Sequence, residues 1–243
     1  MFFVTGIVAG WVDSIAGGGG LITIPVLLFS GMSPTMVLGT NKFQASFGSL
    51  TAAYYYTERK VVPLRDAVPG IVWTFGGAAL GTFAVEQIRP DALGWIIPFL
   101  LLGIAVYMAF SPALGVRERR PLLSRHVFYG VCGLLLGFYD GFFGPGVGSF
   151  WAIAFVALLG FDLTRATGYT KVMNFTSNIA SLGVFLAMGN VHFLPGLAMA
   201  AGQFLGGRMG ARLVLAKGAR VIRPLLIAVA LAIALRLLLQ QVL

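Results

Sequence analysis

The chain has 243 residues, 58% of them hydrophobic and only 10% charged, with a mean hydropathy of +0.90. Soluble domains carry roughly a quarter charged residues, so this composition excludes a soluble globular domain and points to a polytopic membrane protein. The formal charge of +9 does not indicate nucleic acid: the basic residues gather in short loops between apolar segments, as topology signals do, and no basic face interleaved with aromatics accompanies them.

In chain order, about eight apolar segments are expected, at roughly 2–29, 35–57, 67–85, 93–111, 127–161, 165–189, 193–216 and 221–243. The start, Met1-Phe2-Phe3-Val4, has no basic n-region and runs into glycines, so it reads as a structural span rather than a secretory signal. A basic linker over 111–126, carrying Arg117, Arg119, Arg120 and Arg125, divides the chain into a first membrane repeat (1–110) and a second (127–243).

The division is a repetition. Gly10-Trp11-Val12-Asp13 followed by Gly17-Gly18-Gly19-Gly20 returns as Gly137-Phe138-Tyr139-Asp140 followed by Gly144-Pro145-Gly146-Val147-Gly148. Gly39–Leu50 matches Gly168–Ile179, which aligns Lys42 with Lys171, and Gly77 and Gly81 match Gly206 and Gly210. Segment 127–161 is too long for one span of roughly 20 residues and is interrupted near its middle, so it reads as a broken helical hairpin; by the repeat, 2–29 is another.

Three basic loops belong on one side: Arg59/Lys60/Arg65, the linker, and Arg212/Lys217/Arg220/Arg223. With two hairpins and six full spans that condition is met. The expectation is therefore an all-α membrane protein of two inverted repeats, each a broken hairpin plus three transmembrane helices, with both termini outside. The apolar face of 221–243 offers a surface on which a second copy could pair as a homodimer, although the sequence itself sets no oligomeric state.

Chemistry is expected at the breaks. Gly-rich interruptions at membrane depth survive only where protein or a watery cavity covers the freed backbone, and paired interruptions point to a transporter's binding site. A helix restarting after such a break aims free N–H groups and its positive dipole end into the gap, an anion site built from backbone. This nominates Gly17, Gly18, Gly19, Gly20, Gly144, Gly146 and Gly148; the alternative is close helix packing, which is the reading for Gly76, Gly77, Gly81, Gly206, Gly207 and Gly210.

Asp13 and Asp140 precede the breaks. They either couple transport to an ion or proton or order the break by accepting freed N–H groups. Asn41, Lys42 and Gln44, with Thr170, Lys171, Asn174 and Asn178, supply an ammonium and neutral polar groups suited to a small oxyanion; the alternative is that both lysines snorkel to lipid headgroups. Arg208 is a weaker candidate for an inward-facing cation. The single Cys132 permits no intrachain disulfide and suggests no metal cluster. No cofactor or enzyme motif is present: there is no H-E-x-x-H, no Walker lysine after Gly144–Ser149, and no histidine near Ser149 in sequence.

These residues carry a resemblance to the TauE/SafE family of sulfite exporters. The matching elements are Asp13–Gly20, Pro25, Gly39-Thr40-Asn41-Lys42, Gly137–Ser149, Thr170-Lys171, Asn174 and Asn178, and the second motif resembles the branch labelled probable membrane transporters. The resemblance implies a secondary transporter of a small sulfur-containing anion, sulfite or an organosulfonate, in a bacterial inner membrane; because Thr40-Asn41-Lys42 becomes Tyr169-Thr170-Lys171 in the second half, the two half-sites are expected to contribute unequally. Transport of another small anion, or service as a non-transporting subunit of a larger membrane complex, stays open.

Overall fold

The computed structural model describes residues 1–89, 91–94, 96, 97, 99, 100, 103 and 118–218. The expected segment at 221–243 with its face for a second copy, most of 93–111, and Arg117, Arg220 and Arg223 lie outside the described residues. Among those described the chain is all helical, as the composition predicts.

The first half contains α1 (Phe2–Ala16), α2 (Gly19–Phe29), α3 (Pro34–Glu58) and α4 (Leu64–Glu86). In the second half α5 (Arg125–Phe128) runs through a π-helical turn at Tyr129–Gly133 into α6 (Leu134–Phe142), followed by α7 (Val147–Leu159), α8 (Leu163–Ala187) and α9 (Phe193–Lys217). Both expected broken hairpins are present, α1–α2 and α5/α6–α7. The π turn was not expected from the sequence.

The two longest site-bearing helices begin with matched caps. Ser33 accepts the Met36 N–H at 3.4 Å with Pro34 as the first helical residue, and Asp162 accepts the N–H groups of Thr164 and Arg165 at 2.8 and 3.1 Å. Each cap satisfies donors that the first turn leaves free. At 25 residues, α3 and α8 are each about 37 Å long at 1.5 Å per residue. Of the described helices, only Leu64–Glu86 is both long and apolar enough to pass as a span on composition alone; α3 and α8 give up apolar character to the polar residues they bury.

Glycine sets how the halves assemble. Lipid gives helices no hydrophobic reason to associate, so close backbone approach through small residues does that work. On α1, Gly6 and Gly10 face Met199 and Gln203 of α9, while Gly202, Gly206 and Gly210 of α9 face Phe3, Ile7 and Trp11. The second half repeats the device: Gly133, Gly137 and Gly141 meet α4 at Trp73, Thr74 and Ala78, and Gly77 and Gly81 meet Leu134 and Phe138. A Cβ on Gly141 would sit 2.0 Å from the Ala78 carbonyl oxygen. Each half's hairpin thus packs on the fourth helix of the other half. Gly76 faces open space, unlike its neighbour Gly77.

The molecule is apolar outside and polar within. Val68, Val72, Trp73, Phe75, Leu80 and Phe83 of α4 are exposed, as are Phe204, Leu205 and Met209 of α9. Thr40, Lys42, Gln44, Ser49, Lys171 and Ser177 are buried. A soluble monomer rarely shows so much contiguous apolar surface; a bilayer solvates it.

Contacts sort the connections into two ends. At one, Arg125 pairs with Asp66 at 2.7 Å, Arg165 with Glu118 at 2.9 Å, and the Arg119 N–H donates to the Gly160 carbonyl at 2.8 Å. At the other, Asn190 donates to both Glu86 oxygens at 2.9 and 2.8 Å, and the His192 N–H donates to Thr40 Oγ1 at 2.9 Å.

Candidate functional site

The two breaks are built from glycines in conformations that side chains disfavour. Gly17 and Gly18 have φ of 72° and 108°, and Gly144 and Gly146 have 99° and 80°. The Tyr139 hydroxyl donates to the Pro145 carbonyl at 2.6 Å, tying the second break to the helix that leads into it.

The breaks meet. A Cβ on Gly17 would lie 2.6 Å from the Gly148 Cα, and one on Gly20 would lie 3.3 Å from Pro145 Cγ. Ser149 Oγ donates to the Ala16 carbonyl at 3.1 Å. Backbone touches backbone here because neither strand of the crossing carries a side chain at the contact.

Beside the junction lies a cavity of ≈ 30 Å³, room for about two waters. It is lined by Asp13, Gly18, Gly20, Asn41, Lys42, Ala45, Asp140, Gly144, Pro145, Gly146, Val147, Gly148, Asn174 and Asn178. Both halves contribute. Among the described residues, the N–H groups of Gly18, Gly20, Gly146 and Gly148 have no backbone or side-chain acceptor, although all four glycines line this cavity. Unpaired buried N–H groups are costly, so the cavity is a place that rewards an acceptor.

Three asparagines complete the polar wall. Asn41 Oδ1 accepts from Thr23 Oγ1 at 2.6 Å and from Gln44 Nε2 at 2.8 Å, which fixes the amide and leaves its NH₂ uncommitted. Asn174 is 4% exposed and its carboxamide oxygen has no partner. Asn178 donates to Ser49 Oγ at 3.2 Å.

Two ion pairs cross between the halves. Lys42 on α3 lies 2.5 Å from Asp140 Oδ1, and Ser177 Oγ donates to the other oxygen of that carboxylate. Lys171 on α8 lies 3.3 Å from Asp13 Oδ2 and also donates to the Asp13 main-chain carbonyl. Asp13 Oδ1 accepts the Gly19 N–H at 3.2 Å, the break-ordering bond considered for it, whereas Asp140 receives side chains instead. Both ammonium groups are buried at distances that leave no room for snorkelling.

The cavity gathers nine of the fourteen residues nominated as substrate ligands, and both aspartates. Gly17, Gly19, Gln44, Thr170 and Lys171 stand behind its wall: Gln44 braces Asn41, and Thr170 Oγ1 returns its hydrogen bond to the Ala166 carbonyl at 2.8 Å. Sequence reasoning missed Ala45 in the lining and Thr23 behind it; for Thr23, a hydroxyl at helical spacing gave no distinguishing signal. Arg208 is exposed on α9 and not turned inward. No group of three His, Cys, Asp or Glu side chains suited to a metal occurs among the described residues. A larger and mostly apolar opening of ≈ 620 Å³, lined by Phe2, Ser30, Met36 and His192 among others, contains none of the nominated residues.

The family described as Sulfite exporter TauE/SafE matches residues 2–237. A "Probable membrane transporter protein" of Haemophilus influenzae is 47% identical over 227 residues, covering 93% of this chain and 89% of its own length. "Probable membrane transporter protein YfcA" of Escherichia coli K12 is 47% identical, covering 98% of this chain and 88% of its own. A Sinorhizobium protein, "Probable membrane transporter protein ORF9", is 46% identical over 97% of this chain and 90% of its own. No solved structure matches. With its broken hairpins, its apolar exterior and a match along nearly its whole length, the chain belongs to the TauE/SafE family and is a membrane transporter of that type.

Proposed function

We propose that this transporter is not an enzyme but a carrier that exports a small sulfur-containing anion, sulfite or an organosulfonate, across the bacterial inner membrane. The anion binds in the cavity where the two breaks meet. One observation carries this reading: four glycines with unpartnered N–H groups, two from each break, line one cavity together with Lys42. The N-terminal dipole ends of α2 and α7 add positive potential there, and Asn41 and Asn174 supply orienting amides. The sulfur chemistry rests on the family description.

The repeats are inverted in this reading. Support comes from the two ends: Phe2 and Ser30 of the first hairpin share one opening with His192, while Arg119 and Leu122 before the second hairpin bond Gly160 and Leu158 after it at the basic end. Arg59, Lys60, Arg119, Arg120 and Arg125 put that basic end in the cytoplasm by the positive-inside rule.

Charge balance favours export. Two lysines and two aspartates leave the empty site neutral, so a bound monoanion moves one net charge. An inside-negative potential drives it outward with roughly 2.3 kcal/mol per 100 mV, about a fiftyfold gradient. At ≈ 30 Å³ the cavity suits sulfite better than a longer sulfonate.

The test is flux of labelled sulfite and of sulfoacetate in proteoliposomes under an imposed potential. Sulfite movement toward the positive side, stopped by collapsing the potential, is the expected result. Transport of neither anion by folded protein removes sulfur anions from the reading, and flux of other small oxyanions then decides between another anion and a non-transporting subunit.

A further inference from the structure

We infer that the Lys171 ammonium is a built-in cation, occupying the position that a coupling Na⁺ takes in broken-helix transporters, so that this carrier runs without one. In such transporters, the C-terminal end of a half-helix, with its negative dipole and freed carbonyls, holds the coupling ion. Here α1 ends at Ala16; in its last turn the Ser14 and Ala16 carbonyls accept the Tyr56 and Ser149 hydroxyls at 3.4 and 3.1 Å, and the main-chain carbonyl and the carboxylate of Asp13 face Lys171. Lys171 Nζ takes both, donating to the carbonyl and lying 3.3 Å from Oδ2. The carbonyl also accepts the Gly17 N–H at 2.8 Å, and Oδ1 accepts the Gly19 N–H. A cation at this point therefore joins α1, the start of α2, and α8.

The two lysines differ in what they touch. Lys42 meets a carboxylate oxygen, with no hydrogen bond to main chain, and lines the cavity. Lys171 is 0% exposed, reaches a main-chain carbonyl, and stands outside the cavity lining. A second substrate ligand would have to face the cavity; a tethered counter-ion would not. Lys171 is thus a positioning residue that holds the first break in shape while the Lys42 side handles substrate.

The inference rests on the transporter reading only for its flux arm; the stability arm needs no substrate. Wild type and Lys171→Ala, as full-length protein, are melted in choline, Na⁺ and methylammonium chloride, and sulfite flux is measured in the same salts. Wild type is expected to melt and transport alike in all three. Lys171→Ala is expected to melt lower in choline, as removal of one partner from a buried pair destabilises the fold, to lose flux about tenfold or more there, and to recover both melting temperature and flux in methylammonium or Na⁺. A purely structural lysine would show no such rescue by a free cation. If the variant folds only when prepared in methylammonium or Na⁺, that is the rescue itself. Equal behaviour of variant and wild type in choline, a Na⁺ requirement in wild type, or failure of every cation to restore the variant overturns the inference. Cation-dependent melting with no sulfite flux in wild type would overturn the sulfite reading and leave this one standing.

Discussion

Lys42→Ala is expected to abolish anion flux and to lower stability by about 3–5 kcal/mol, the usual cost of stripping one partner from a buried ion pair. The ammonium lies 2.5 Å from Asp140 Oδ1 and is 2% exposed, so its removal strands a carboxylate shielded from bulk water. Asp140 would keep only the Ser177 hydroxyl, in a site 98 residues away in sequence from the helix that neutralised it. Stability alone does not reveal function, and a second variant separates the two. Lys42→Met/Asp140→Ala removes both charges, which is often near neutral for folding; it should recover most of the stability and none of the flux. SDS-unfolding titrations beside proteoliposome flux check both halves of this expectation. Flux retained in the double variant would show that the pair holds the fold together without reading the substrate.

Gly148→Ala is the second large effect expected. One methyl group there would stand 2.7 Å from the Gly17 Cα and 3.3 Å from Asn174 Nδ2. The first neighbour is backbone in a positive-φ turn and cannot rotate away, so the two breaks must separate. Overpacking of this kind costs about 1–3 kcal/mol. The larger consequence is functional, because the same displacement spreads the four N–H groups. Flux should fall about tenfold or more, the equivalent of about 1.4 kcal/mol in binding. Gly76→Ala is the matched control: its Cβ would meet nothing within 4 Å, so melting temperature and flux should match wild type.

Much of this was legible in the chain because the membrane imposes it. Glycine at membrane depth needs a reason, and a Gly cluster repeated with its aspartate at the same offset needs the same reason twice. That logic located both breaks, both aspartates and both lysines, and it assigned Gly77, Gly81, Gly206 and Gly210 to packing.

Partner choice was not legible. The sequence placed Lys42 and Asp13 in one half, and Lys171 and Asp140 in the other. The fold pairs them across the halves, over separations of 98 and 158 residues. Such pairing is decided by which helices pack, and hydropathy cannot report that: lipid-facing and protein-facing positions of a membrane helix are both apolar. The same blindness hid the braces. Thr23 orients Asn41 and Tyr139 ties down Pro145, yet neither stands out from the other polar residues on its helix, and Gln44, nominated as a ligand, proves to brace Asn41. Lys171 shows the cost most clearly: the half-sites were expected to contribute unequally, yet only the geometry separates a lysine that faces the cavity from one that stands behind it.

The central claim, that a small oxyanion binds where the two breaks meet, is tested most directly by locating one there. Selenite has the shape and charge of sulfite and a heavier, anomalously scattering centre. A crystal structure of the wild-type protein with selenite should show one anomalous peak in the cavity between Gly18, Gly20, Gly146 and Gly148, within hydrogen-bond reach of Lys42 Nζ, and none in the Lys42→Met/Asp140→Ala variant. A peak elsewhere in the protein, such as the opening beside His192, with the junction empty, would contradict the account.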